Sequence, residues 1–126
     1  MYTLFFHGYS KISSSCAAVL YNGENEIWWG NHYMDHSPNA IADYTGLIMG
    51  LTQAFVMNIS DLVVKSDSFI IKQLSGEYNV KSKKLISLFN EAKHLEDLIG
   101  DVSYIHIDHS ENKRAINLSV LSIHYI

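Results

Sequence analysis

Asn22-Gly23 stands between two apolar runs, Cys16 to Tyr21 and Glu26 to Met34. No other dipeptide constrains the fold of this chain as strongly. Asn-Gly supplies the positive φ values that a two-residue hairpin turn demands, so the flanking runs are predicted to pair antiparallel. A third run, residues 2–7, is aromatic and apolar and precedes them, with Ser13-Ser14-Ser15 as a turn or bulge in between. The chain therefore opens as a meander of three strands. Trp28 and Trp29 are adjacent in the third strand and must point to opposite faces.

Ser37-Pro38-Asn39 then opens a helix, with Pro suited to a first turn and Ser to a cap. Ala42, Leu47, Leu51, Ala54 and Phe55 recur near the helical period, which predicts one helix over 39–57 with a core face. Gly46 and Gly50 lie four apart on it, a close-packing face toward the sheet. Leu62-Val63-Val64 predicts a short buried strand over 61–65, parallel because a helical crossover reaches it. A short helix follows from Ser68 to Leu74 and stops at Gly76. Residues 82–98 form an amphipathic helix with Leu85, Leu88, Phe89, Ala92 and Leu95 inward. Residues 102–107 alternate as a strand, and a last helix runs from Glu111. The order βββαβααβα implies an α/β fold with a mixed five-stranded sheet, three antiparallel strands then two parallel, and helices on both faces.

The chain has 126 residues, 48% of them hydrophobic, which suits one domain over 1–126 with a real core. No apolar run reaches the length of a membrane span and the first residues lack a basic leader, so a soluble intracellular protein is expected, with no membrane partner. Cys16 is alone, which excludes an internal disulfide; in its Ala/Val-rich run it reads as a buried hydrophobe. Net charge is -4, whereas dedicated nucleic-acid binders carry a basic face. The one basic cluster is Lys81, Lys83 and Lys84, at a helix start. His32 and His36 are not on a helix face, so their spacing does not make a metal site.

In an open α/β sheet, sites gather at the carboxyl ends of the parallel strands. Those ends are His7 and Asp67; Asp43 lies at the start of the first helix, and His109 precedes the last. Convergence of such stations is what two-metal phosphodiester hydrolysis needs, with carboxylates holding two Mg²⁺ ions roughly 3.5–4 Å apart. The four segments are His7-Gly8-Tyr9-Ser10, Asn39-Ala40-Ile41-Ala42-Asp43-Tyr44, Ser66-Asp67-Ser68 continuing through Gln73 to Gly76-Glu77-Tyr78, and His106-Ile107-Asp108-His109-Ser110-Glu111-Asn112 through Ile116. Together, in order and on these elements, they resemble the motifs of the ribonuclease H family over the whole chain. The resemblance implies a ribonuclease H-like fold. It places catalytic positions at His7, Asp43, Asp67 and His109, metal ligands at Asp43 and Asp67, and nucleic-acid contacts at Gly8, Ser10, Asn39 and Gln73.

Two of the four family acids are replaced. The first Asp, which bridges both metals in the family, is His7, and the last is Ile116, which ligates nothing. The second, a Glu in the family, is shortened to Asp43. Imidazole suits softer metals than Mg²⁺ and offers one lone pair. Asp108 and Asn117 are the nearest polar residues that could stand in for the missing acid. The expectation is a ribonuclease H-family domain that binds RNA/DNA hybrid or a partner protein with little or no hydrolysis, and at most one weak Mg²⁺ or Mn²⁺ site at Asp43 and Asp67. One alternative is an active metal-dependent endoribonuclease with His7 as a Mn²⁺-type ligand. Another is an interaction or scaffolding module anchored by Trp28, Trp29 and Tyr33.

Overall fold

The structure, a computed structural model, describes residues 1–124. The elements are β1 (Tyr2–Ser10), β2 (Ser14–Asn22), β3 (Asn25–Met34), α1 (Asn39–Val56), β4 (Asp61–Ser66), α2 (Ile70–Leu74), α3 (Lys83–Ile99), β5 (Asp101–His106), a 3₁₀ turn (His109–Glu111) and α4 (Lys113–His124). They form a five-stranded sheet in the order β3-β2-β1-β4-β5. β1 pairs antiparallel with β2 and parallel with β4, and β4 pairs parallel with β5. The hairpin forms, but its two turn residues are Gly23 and Glu24: Asn22 ends β2 opposite Asn25, and Gly23 alone takes a positive φ, 62°.

Helices cover both faces, which explains why β2 is buried from Ser14 to Leu20. On one face Leu4, Phe6, Leu20, Leu62 and Val64 pack against Tyr44, Leu47 and Leu51 of α1, with Ala92 of α3 behind them. On the other, Ala17 and Val19 meet Ala115 and Leu118 of α4. α1 lies close to the sheet because of its glycines. A Cβ at Gly50 would stand 2.5 Å from Leu4 Cδ1, and one at Gly46 would stand 3.1 Å from the Ala17 carbonyl.

Three local expectations change. Ser37 does not cap α1: the cap position is Pro38, without a side-chain hydrogen bond. Instead Ser37 is tied to the β1–β2 connection. Its carbonyl accepts from the Ser10 and Ser14 hydroxyls, and its N–H donates to Ser14 Oγ at 2.8 Å. Ser14 and Ser15 belong to a buried strand rather than a turn. The last helix starts at Lys113, because the 3₁₀ turn takes up residues 109–111.

Candidate active site

The carboxyl ends of β1 and β4 and the start of α1 bring His7, Asp43 and Asp67 to one hollow of about 270 Å³, also lined by Asn39, Ser68 and Gln73. Gly8 is the residue that permits this approach. A Cβ there would stand 2.3 Å from the Asp43 backbone nitrogen, so only glycine lets β1 and α1 come together.

Asp43 is buried, and both of its oxygens are occupied. Oδ1 accepts from the Gly8 N–H at 2.8 Å and Oδ2 from the Ser68 hydroxyl at 2.7 Å. Burial pushes its carboxyl up to about 6; the Ser68 and Gly8 donors offset that only in part, and the Asp67 charge adds to it. Asp67 is likewise engaged at both oxygens. Oδ1 accepts from the Asn112 amide at 2.7 Å, and Oδ2 lies 3.1 Å from His109 Nδ1. Burial works against its charge, but the Asn112 donor, the histidines and a backbone N–H outweigh it and hold the carboxyl below the ordinary range.

His7 completes the group without joining it fully. Its Nδ1 is 3.5 Å from Asp67 Oδ1, at the limit of an ionic contact and too poorly aimed for a hydrogen bond, and it has no other partner. Burial lowers its pKa despite the Asp67 charge, so the imidazole is neutral at pH 7 and the contact is no salt bridge. The His7 and His109 rings are edge to face with centroids 6.2 Å apart.

Asn112 is the residue that sequence reasoning passed over. It is 1% exposed and donates both to the Phe6 carbonyl at 2.9 Å and to Asp67, joining the start of α4 to β1 and β4. It lies within the fourth segment, where nothing in its spacing sets it apart from its neighbours. Ser68 was likewise read as part of a motif, and its hydroxyl secures Asp43.

The remaining expected contacts have mixed placements. Asn39 and Gln73 line the hollow, where Gln73 Oε1 accepts from Tyr44 at 2.7 Å. The Ser10 hydroxyl points to Ser37. The residues considered as stand-ins for the missing acid are both exposed. Asp108 leads into the 3₁₀ turn, its N–H donating to Glu111 at 3.2 Å, and Asn117 lies on α4. Trp28 packs toward the α1 core, whereas Trp29 and Tyr33 are exposed on the α4 side.

The donor set does not fit a pair of Mg²⁺ ions. Such a pair needs several carboxylates. Here the hollow holds only two, one of them pushed up to about 6 by burial, beside the imidazole of His7. Among the described residues no group of three or more His, Cys, Asp or Glu side chains has the geometry of a metal site.

The sequence profile of a family described as reverse transcriptase-like matches residues 6–121. The chain belongs to this family of ribonuclease H-like domains. Its fold is that of ribonuclease H1 from the halophilic archaeon Halobacterium salinarum, with a TM-score of 0.93 at 24% identity over 99% of this chain and 98% of that one. LC11-RNase H1 in complex with an RNA/DNA hybrid superposes with a TM-score of 0.93 at 21% identity, covering 98% and 97% of the two chains. Among curated proteins, the bifunctional protein Rv2228c of Mycobacterium tuberculosis is 30% identical over 82 residues, 64% of this chain. The match spans 22% of that protein's length. Its N-terminal RNase H domain has a TM-score of 0.94 to this fold at 22% identity, over 98% of this chain and 93% of that one.

Proposed function

We propose that this ribonuclease H-family domain binds RNA/DNA hybrid and has given up Mg²⁺-dependent hydrolysis. The observation that carries the reading is the state of the two retained acids. Each has both oxygens committed to protein hydrogen bonds, so the charge that family members direct at metal ions is used here to hold β1, α1, β4 and the start of α4 together. Displacing the Gly8, Ser68 or Asn112 donors leaves buried polar groups unpaired, at a cost of roughly 1–3 kcal/mol each.

Hybrid as the ligand class is supported by likeness to LC11-RNase H1, whose structure contains one. It is also supported by the hollow itself, which presents the amides of Asn39 and Gln73 beside His7. Lys72, Lys81, Lys83 and Lys84 add a local positive stretch across α2 and the start of α3, in a chain that is acidic overall. Fluorescence anisotropy with a labelled hybrid tests the reading. Binding is expected to be the same in EDTA and in Mg²⁺ and to weaken with salt as phosphate contacts dictate. No binding, or binding only with the metal, overturns it.

A further inference from the structure

The aromatic side chains of β3 take no part in the site described above. β3 is an edge strand of ten residues, and its outer side has no partner among the described residues. Proteins ordinarily guard such an edge with Lys, Pro, a bulge or shortness. β3 has neither Lys nor Pro, and its one irregularity lies at the start, opposite Leu20 and Tyr21. Trp28 to Met34 is regular and carries no Asp, Glu, Lys or Arg. By contrast β5, the other edge, has six residues and begins at Asp101.

Beside this edge, β3 and α4 enclose a groove of about 530 Å³, lined by Trp29, Asn31, Tyr33, Leu118, Leu121 and Ser122. Trp29 is 48% exposed and Tyr33 37% exposed, on the same face of the strand.

We infer that β3 pairs antiparallel with β3 of a second copy of this chain about a two-fold axis at Asn31, extending the sheet to ten strands. The register follows from the residues. With Asn31 on the axis, Trp29 lies opposite Tyr33 of the partner subunit, and Tyr33 opposite Trp29 of the partner subunit. Directly opposed aromatic pairs on one face are among the stabilising cross-strand contacts. Trp28 lies opposite Met34 of the partner subunit, and Gly30 opposite His32 of the partner subunit.

Charge permits the pairing. The regular segment carries no charged side chain other than His32, and Glu26, beyond the irregularity, is neutralised within its own chain by Arg114 at 2.8 Å. A two-fold uses one edge from each copy and so closes without forming fibres. The regular segment is about 24 Å long. A specific interface needs about 1,000 Å² over both copies, so the contact has to extend from the strand into the groove, and a dimer of modest affinity is expected.

Light scattering across a micromolar concentration series, with wild type and Trp29→Lys compared, reads the association. Wild type is expected to pass from monomer to dimer, and Trp29→Lys, a change that occurs twice in the dimer, to raise the dissociation constant about tenfold or more. Circular dichroism checks that the variant is folded. Asn31→Cys gives an independent readout: the only native thiol, Cys16, is buried, so mild oxidation should yield a disulfide-linked dimer through position 31. A wild type that stays monomeric, a dimer indifferent to Trp29→Lys, or a dimer that Asn31→Cys does not cross-link overturns the inference. An extended peptide that binds a monomeric chain at this edge overturns it as well.

Discussion

Asn112 donates to Asp67 at 2.7 Å from the opposite side of the sheet end, and the same amide reaches the Phe6 carbonyl at 2.9 Å. One buried side chain thus fixes the start of α4 against β1 and against Asp67 at the end of β4. Asn112→Leu removes both bonds; the Phe6 carbonyl keeps the Ser66 hydroxyl at 2.8 Å, whereas Asp67 Oδ1 loses its hydrogen bond. The expected loss is about 2–4 kcal/mol of unfolding free energy in urea. Asn112→Asp is expected to be worse at pH 7, because it sets a second carboxylate against Asp67, and to recover in part when Mg²⁺ is added.

Asp43→Asn is expected to remove the component of the pH dependence that lowers stability as pH rises. The folded pKa of Asp43 is raised from 3.8 to about 6, so between these values the folded state binds more protons than the unfolded one. Stability contributed by this group is therefore highest below about pH 4 and falls as pH rises to about 6. An upper bound on the cost at pH 7 is about 3 kcal/mol. Asn can accept from Gly8 and donate to Ser68 Oγ without charge. Melts of the variant are predicted to match or exceed wild type at pH 7 and to lose that advantage at pH 4.

His7 titrates with the opposite sign. Its folded pKa is lowered below 6.5, so its contribution is complete above pH 6.5 and is lost as pH falls through and below that value. The two groups oppose each other in wild type. In Asp43→Asn the acid destabilisation from His7 should stand uncovered, and Asp43→Asn/His7→Asn should remove it. Urea midpoints at pH 7 and pH 5 across the three proteins provide the check.

Gly8→Ala forces β1 and α1 apart, because its Cβ would meet backbone at 2.3 and 2.5 Å, which no rotamer change relieves. The expected destabilisation is about 3 kcal/mol or more, combining overpacking with loss of the bond to Asp43. A midpoint within experimental error of wild type would contradict the close approach.

Much of this architecture was legible because it rests on local signals. Asn22-Gly23 specified the hairpin, the apolar period specified α1, and Gly46 and Gly50 marked the face that lies on Leu4 and Ala17. What was not legible depends on pairs distant in sequence. Asn112 meets a partner 45 residues away, and Ser68 one 25 residues away, with no periodicity to announce either. Ser37 looked like a cap because its type and place suited one, yet Ser14 claims its N–H from a neighbouring strand. The family resemblance implied that His7 and Ile116 stand in place of two acids. That each oxygen of Asp43 and Asp67 lies against a protein hydrogen-bonding group emerged only from the geometry.

The most direct test of the proposed loss of hydrolysis is to incubate a labelled RNA/DNA hybrid in Mg²⁺ and in Mn²⁺ with wild type beside Asp67→Asn. Wild type is predicted to cleave no faster than Asp67→Asn in either metal. Cleavage by wild type that Asp67→Asn abolishes would contradict the account.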